Sequence, residues 1–177
     1  MNATIKLLVV LTLVFNFTSC KKELGTVNFN TLIDKTISVH VDQTDGSVFT
    51  FSTDELMSLN NDDTHDYLDE IQDIAINSLS YQLKNFSGDH TGTATLTFMI
   101  DGFSLQTHTD VNVKDIVDAS EVYTITDISF LNQIATALKN DQQVTAKYIG
   151  DILCDNAAMD FEVKVTLDIT VTANALN

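Results

Sequence analysis

Residues 161–173 have the sequence FEVKVTLDITVTA, and this stretch decides the fold class. Apolar residues occupy every odd-numbered position from Phe161 to Ala173, and polar or charged residues occupy the even-numbered ones. Successive side chains of a β-strand point to opposite faces, so a period of two predicts a long strand with one buried and one solvated face. Such strands are typical of antiparallel sheets.

The same period recurs along the chain. It predicts further strands near residues 37–41, 49–51, 72–86, 93–100, 103–107, 121–126 and 144–148. The strand near residues 72–86 changes parity, and a β-bulge near Asn77 and Ser78 would keep both halves facing the core. About eight mainly antiparallel strands, with no internal repeat, predict an all-β fold, a β-sandwich.

Asp101-Gly102 lies between two alternating runs and predicts a two-residue hairpin turn of the primed type. A register set by this turn places the apolar residues of both strands on one face. The predicted pairs are Ile100 with Phe103, Phe98 with Leu105, and Leu96 with Thr107.

Two segments depart from the period of two. After Asp127, a typical N-cap residue, apolar side chains recur at helical spacing and predict a short α-helix near residues 128–139. Residues 52–55 have the spacing of a capping box and predict a helical segment near residues 53–70.

The N-terminus carries a short apolar run, residues 7–17, followed by Thr18-Ser19-Cys20 and then by Lys21-Lys22. A transmembrane helix needs roughly 20 apolar residues, so the run is too short to span a bilayer comfortably. The arrangement resembles the signal peptide and lipobox of bacterial lipoproteins, with Phe17 where that family usually has Leu. The alternative is an ordinary secretory signal in which Cys20 is an incidental thiol.

The resemblance implies a division of the chain into three parts. Residues 1–19 would be the signal peptide, residues 20–35 a lipidated N-terminus and tether, and residues 36–177 the β-sandwich domain. Cys20 would carry acyl chains such as palmitate and attach the protein to the membrane. Lys21, in place of an Asp after the cysteine, implies the outer membrane of the cell envelope, on its periplasmic or its surface face.

The end of the chain supports a second resemblance. A helical run over residues 131–138, the segment Val144-Thr145-Ala146 and a final alternating strand are similar to small lipoproteins of the Bacteroidota type. The sandwich is more distantly similar to LEA14-like domains. The chain has no Trp, and Cys154 has no second cysteine once Cys20 is lipidated, so the usual immunoglobulin features are missing.

The charge of the chain bears on its partners. It contains 25 Asp and Glu, nine Lys and no Arg, for a formal net charge of −16. Affinity for nucleic acid depends on cationic side chains that neutralise phosphates, so nucleic acid is not expected as a partner. Anionic headgroups would also be repelled, and membrane attachment would rest on the acyl chains.

Metal-ligand candidates occur in two places. Asp62, Asp66 and Asp69 would share a helix face, and calcium prefers carboxylate oxygens, although the EF-hand order is absent. His40 and His108 fall on the polar parity of their predicted strands and could share an outer sheet face. Two imidazoles on neighbouring strands could together bind a transition metal. The alternative for the acidic set is solvated surface charge.

No catalytic arrangement is recognisable in the sequence. It has no nucleophile elbow, no glycine-rich phosphate loop and no activating base near Cys154. The sequence therefore predicts a non-enzymatic, lipid-anchored envelope lipoprotein without a cofactor, acting as a binding or envelope-assembly module, with another envelope protein as a partner. One alternative is a carrier that holds a hydrophobic small molecule between the sheets. Another is a cation-binding protein or metal-dependent enzyme.

Overall fold

In the computed structural model, which describes residues 25–42, 45–154 and 157–175, eight strands form two four-stranded sheets. The strands are β1 (Thr26–Val41), β2 (Val48–Ser58), β3 (Ile71–Gly88), β4 (Thr93–Ile100), β5 (Phe103–Asn112), β6 (Tyr123–Ile125), β7 (Gln143–Leu153) and β8 (Met159–Asn174). The first sheet has the order β1-β8-β3-β6 and the second β2-β7-β4-β5. All pairings are antiparallel, which confirms the predicted all-β sandwich.

Strand β8 is the long alternating strand from which the fold was predicted. It pairs along its length with β1, from Thr26 opposite Asn174 to Val41 opposite Met159, and with β3 on its other side. Its inward side chains are all buried. Removal of this apolar surface from water contributes roughly 25 cal/mol per Å² to folding. β8 is one of the two inner strands of the first sheet.

Side chains from both sheets fill the interior. Phe98, Phe161 and Leu167 are each at most 1% exposed. The rings of Tyr148 on β7 and Phe161 on β8 lie 6.4 Å apart between centroids, so the two sheets contact each other through aromatic side chains. These side chains occupy the space in which a carrier would hold a ligand between the sheets.

The predicted helix is present as α2 (Ile128–Asp141) and follows β6. The carboxylate of Asp127 accepts hydrogen bonds from the N–H groups of Ser129 and Phe130, at 2.8 and 3.3 Å. These bonds satisfy two of the N–H groups left open at a helix start. No helix among the described residues is long and apolar enough to cross a membrane.

A further helix, α1 (Val113–Ala119), was not predicted. The side chain of Asn112 caps it by accepting a hydrogen bond from the N–H of Asp115. On one open side of the sandwich β1 contacts β2, whereas on the other side α1 and α2 pack against β3. The short β6 pairs only with residues 79–81 of β3, so the helices cover the rest of that side.

The tether predicted over residues 20–35 is wrong from Thr26 onwards, because β1 begins there. The alternation in this segment is obscured by two polar side chains on the inward parity, Thr31 and Lys35. Thr31 is buried, and its hydroxyl donates to a carboxylate oxygen of Asp63 at 2.8 Å. This partner lies in a distant loop, so the sequence pattern could not show that Thr31 is compatible with the interior.

The helical segment predicted near residues 53–70 is wrong over its first part. Strand β2 continues through residues 52–55 and pairs with β7, from Val48 opposite Leu153 to Ser58 opposite Gln143. Pairing with a neighbouring strand outweighs the local capping preference. Only His65–Glu70 is helical, as a 3₁₀ helix.

The Asp101-Gly102 turn is present, with positive φ at both residues and with Ile100 opposite Phe103. The register predicted beyond that first pair is wrong, since Phe98 pairs with Gln106 and not with Leu105. Leu105 is an extra residue, which makes a β-bulge in β5. The bulge predicted in β3 is confirmed by the register shift at Asn77, between residues 76 and 78.

Candidate functional site

The β-bulge at Leu105 turns His108 towards the interior. Because the bulge adds one residue to β5, His108 lies opposite the buried Leu96 and not on the outer face. Its Nε2 is 2.7 Å from the hydroxyl of Tyr81 on β3. This hydrogen bond joins the two sheets, since β5 belongs to the second and β3 to the first.

Three tyrosines surround this bond and form with His108 what we call the tyrosine–histidine cluster, which consists of Tyr81, His108, Tyr123 and Tyr148. The rings of His108 and Tyr123 meet edge to face at 4.5 Å between centroids. Tyr81 stacks on Tyr123 at 5.1 Å, and Tyr148 lies 6.4 Å from Tyr81. Four strands, β3, β5, β6 and β7, therefore meet at this cluster.

Burial keeps the members of the cluster uncharged. Burial lowers the pKa of His108, although the nearby carboxylate of Glu121 acts in the opposite direction. Burial likewise raises the pKa of Tyr81, Tyr123 and Tyr148, because a phenolate between the sheets would be poorly solvated. At neutral pH the imidazole of His108 is therefore uncharged, and the direction of its hydrogen bond with the Tyr81 hydroxyl follows the tautomer of the ring.

The hydroxyl of Tyr148 differs from that of Tyr81. It is fully buried, and within the part of the chain that the structure describes it has no hydrogen-bond partner. A buried hydroxyl without a partner costs roughly 1–3 kcal/mol. The Tyr148 ring is held by packing against Phe51 and Phe161. The cluster thus contains one satisfied inter-sheet hydrogen bond and one unsatisfied hydroxyl beside it.

His40 lies on the outer face of β1, at the edge of the first sheet. Its Nδ1 is 2.5 Å from a carboxylate oxygen of Asp160, and its Nε2 is 2.6 Å from one of Asp42. The hydrogen bonds to Asp160 and Asp42 raise the pKa of His40. The prediction that His40 and His108 share a face is wrong, because the two residues belong to different sheets.

We expect His40 and His108 to titrate on opposite sides of the ordinary imidazole pKa of about 6.5. The contribution of His40 to stability is present below that pH and is lost as the pH rises through its folded-state pKa. The contribution of His108 is present above about pH 6.5 and is lost as the pH falls towards its lowered pKa. NMR titration of the imidazole resonances measures both values.

The matched variant for this titration is Asp160→Asn, which removes one carboxylate from His40. It should lower the pKa of His40 and leave that of His108 unchanged, because Asp160 contacts only the first of these. A His40 pKa below that of His108 would contradict the arrangement.

The acidic candidates Asp62, Asp66 and Asp69 are exposed, on or beside the 3₁₀ helix. Asp63 belongs to the same acidic run, and its carboxylate fixes this segment to β1 through Thr31, a contact that the sequence does not show. Among residues 25–42, 45–154 and 157–175, no group of three or more His, Cys, Asp or Glu side chains is placed to hold a metal ion.

Cys20, the predicted lipidation site, lies outside the described residues, as does the apolar run before it. The first described residue is Gly25, whose carbonyl accepts a hydrogen bond from the N–H of Ala175 at 2.8 Å. Cys154 is fully buried at the end of β7.

An uncharged surface runs along α2 beside the tip of the β4–β5 hairpin. We call it the α2 surface; its residues line a depression of about 500 Å³ and are Phe103, Ser129, Asn132, Gln133, Thr136, Ala137 and Asn140. Phe103 is 40% exposed, and its ring lies 6.1 Å from that of Phe130. Sequence reasoning predicted both the helix and the hairpin but missed the surface, because local patterns do not show that the two lie side by side.

Sequence reasoning also missed the tyrosine–histidine cluster. The available signal was the position of Tyr81 and Tyr148 on the inward parity of their strands, because a buried tyrosine hydroxyl usually has a hydrogen-bond partner. That signal calls for a polar side chain across the interior, but it does not identify His108 as the partner.

No family model and no curated protein matches the chain. Among solved structures, it is similar to the decameric BFDV capsid protein, with a TM-score of 0.43, 8% identity, and coverage of 82% of this chain and 99% of that one. It is also similar to a structure of Desmodium yellow mottle tymovirus, with a TM-score of 0.34, 7% identity, and coverage of 86% and 92%.

Proposed function

We propose that this chain is a lipid-anchored lipoprotein of the cell envelope whose β-sandwich is a non-enzymatic binding module. The observation that carries the proposal is the N-terminal pattern. Residues 7–17 form a short apolar run, Thr18-Ser19-Cys20 follows, and Lys21-Lys22 ends the segment. Lys21 favours the outer membrane as the destination, and a further envelope protein is the expected partner.

The position of β1 supports attachment close to the membrane. Thr26 is the sixth residue after Cys20, and a chain spans at most about 3.6 Å per residue, so the anchor lies within roughly 20 Å of the sandwich. Thr26 pairs with Asn174 at one end of the first sheet, and Val41 pairs with Met159 at the other. The end with Thr26 would face the membrane, and the other end would stand roughly 50 Å further away, at about 3.3 Å per residue.

The two histidines considered as functional candidates, His40 and His108, are hydrogen-bonded to neighbouring side chains, which supports binding over catalysis. His108 is hydrogen-bonded to Tyr81, and both ring nitrogens of His40 face the carboxylates of Asp42 and Asp160. Phe98, Phe161 and Leu167 pack between the sheets, which favours a ligand or partner that is met at the surface.

Replacing Cys20 with Ser should release the protein from the membrane fraction, because the thiol is the atom to which the lipid would be attached. The unaltered protein should sediment with membranes, resist extraction by high salt and dissolve in detergent. Fractionation followed by immunoblotting measures this distribution, and incorporation of labelled palmitate provides a second measurement.

Cys154→Ala is the matched control, since it removes the other cysteine, which is buried in the sandwich. This variant should remain in the membrane fraction and keep its palmitate label. If the Cys20→Ser protein sediments with membranes as the unaltered protein does, lipid anchoring is excluded.

A further inference from the structure

We infer that the α2 surface is the docking site for a segment of a partner protein that carries apolar side chains flanked by Lys or Arg. This inference rests on the proposed binding function and assigns it to one surface. It is carried by three properties of the surface: exposed apolar groups without charge, a rigid foundation and an acidic rim.

The surface is uncharged, and it combines exposed apolar side chains with neutral polar ones. Phe103 is 40% exposed, and Ile128, at the start of α2, is 72% exposed. Residues 128–138 contain no Asp, Glu or Lys, although the chain has 25 acidic residues. Centres of protein interfaces are depleted of charge and enriched in aromatic side chains, whereas the outer face of a solvated helix is usually rich in charge.

The helix that carries the surface is fixed in place. Ile134, Ala135 and Leu138 bury the opposite side of α2 in the core. Asp127 caps the start of the helix, and the N–H of Gln142 donates to the carbonyl of Leu138 at its end. A preformed binding face spares a partner the entropic cost of ordering it.

Acidic residues stand around the surface. Asp127 precedes α2, Asp141 is its last residue, and Asp101 lies in the turn two residues before Phe103. Lys139, in the last turn of α2, is the one basic residue of the helix, so the carboxylates outnumber it. The carboxylate of Asp101 accepts a hydrogen bond from the N–H of Thr145 at 2.7 Å, which holds the turn beside β7. An acidic rim around an uncharged centre is complementary to a partner with a basic rim.

The same charges disfavour a second copy of this chain as the occupant. In a symmetric pair, each acidic rim would face the other, and each chain carries a formal net charge of −16. Like charges that meet across an interface cost several kcal/mol. Charge complementarity therefore selects a different, basic partner.

The test uses a photo-crosslinking peptide and the full chain in a nonionic detergent. The probe is an amphipathic helix of about 18 residues, or five turns, built from Leu and Lys with one benzophenone side chain on its apolar face. A matched peptide carries Glu in place of Lys. After irradiation, mass spectrometry of the digested protein locates the crosslinked residues.

We expect crosslinks from the Lys peptide at Phe103 and within residues 128–140. Gln133→Arg places a positive charge on the surface and should reduce the crosslinking yield about tenfold, the scale of a central interface residue. Ala137→Arg should do the same and provides a second variant. Val48→Arg is the matched control, because Val48 is 61% exposed at the opposite end of the sandwich and receives the same charge; it should leave the yield unchanged.

Three results would overturn the inference. Crosslinks spread over other acidic surfaces, or reduced equally by Val48→Arg, would show general electrostatic attraction. Equal crosslinking by the Glu peptide would exclude a basic partner, and crosslinked dimers from a benzophenone placed at Gln133 would make a second copy the occupant. Failure of the Cys20→Ser release experiment would remove the membrane anchor and leave the crosslinking pattern intact, so the two failures are distinguishable.

Discussion

Gly88→Ala should lower the free energy of unfolding by about 3 kcal/mol or more. Gly88 is the last residue of β3 and has a φ of +106°, which L side chains rarely adopt. A Cβ at this position would lie 1.9 Å from the carbonyl oxygen of Ala158 and 2.9 Å from the Cα of Met159. Both neighbours are backbone atoms, so the clash cannot be relieved by a side-chain rotation.

The clash would reach the start of β8. Gly88 pairs with Met159, and the carbonyl of Ala158 also accepts a hydrogen bond from the N–H of Asp89. A displaced Ala158 would therefore disturb the loop after β3 and the first residue of the central strand together. This double consequence is why the expected effect exceeds the usual cost of a strained backbone conformation alone.

Two other glycines separate the cost of the unusual φ from the cost of the steric clash. Gly102 has a φ of +82° but open space around its Cβ position, so Gly102→Ala should cost only the conformational term, about 1–2 kcal/mol. Gly25 has open space and no unusual φ, so Gly25→Ala should be close to neutral. Urea denaturation of all three variants measures the differences. Equal losses for Gly88→Ala and Gly102→Ala would show that the approach to Ala158 does not constrain the fold.

The sequence predicted an element correctly where its local pattern is compatible with only one secondary structure. The alternation of residues 161–173 predicted β8, and the spacing after Asp127 predicted α2, since each pattern specifies which face is buried. The parity change in β3 similarly predicted the bulge at Asn77. Each of these predictions rests on residues close together in the chain.

The errors arose where a distant partner decided the outcome. Phe103, Leu105 and Thr107 share a parity, yet β5 bulges at Leu105 and turns His108 inwards to Tyr81. The alternation within β5 gives no information about Tyr81, because that residue lies on another strand. Thr31 is a similar case, since its partner Asp63 makes an apparently polar segment part of β1.

The candidate site was less predictable than the fold for the same reason. Both His40 and His108 lie on polar parities of predicted strands, and only the strand order places them in different sheets with different surroundings. Lipidation of Cys20 stays a prediction. A site made of side chains from β3, β5, β6 and β7 requires the topology before its members can be grouped.

Removing one hydroxyl from each of two buried tyrosines should change the stability in opposite directions. Tyr81→Phe removes the hydroxyl that is hydrogen-bonded to the Nε2 of His108 and should destabilise the protein by about 1 kcal/mol. Tyr148→Phe removes a hydroxyl that has no partner among the described residues and should stabilise the protein by about 1–3 kcal/mol. Both changes keep the ring, so the aromatic packing between the sheets is retained in each variant.

Thermal or urea unfolding at pH 8, where His108 is neutral in the folded and unfolded states, isolates these two effects from titration. The imidazole resonances of His108 test whether the effect of Tyr81→Phe comes from the lost hydrogen bond. They should shift more in Tyr81→Phe, which removes a direct hydrogen bond, than in Tyr148→Phe. If Tyr148→Phe destabilises the protein as much as Tyr81→Phe does, the Tyr148 hydroxyl is hydrogen-bonded in solution. The opposite signs would instead show that the fold tolerates an unsatisfied hydroxyl at Tyr148, because the ring that carries it packs against Phe51 and Phe161 of the core.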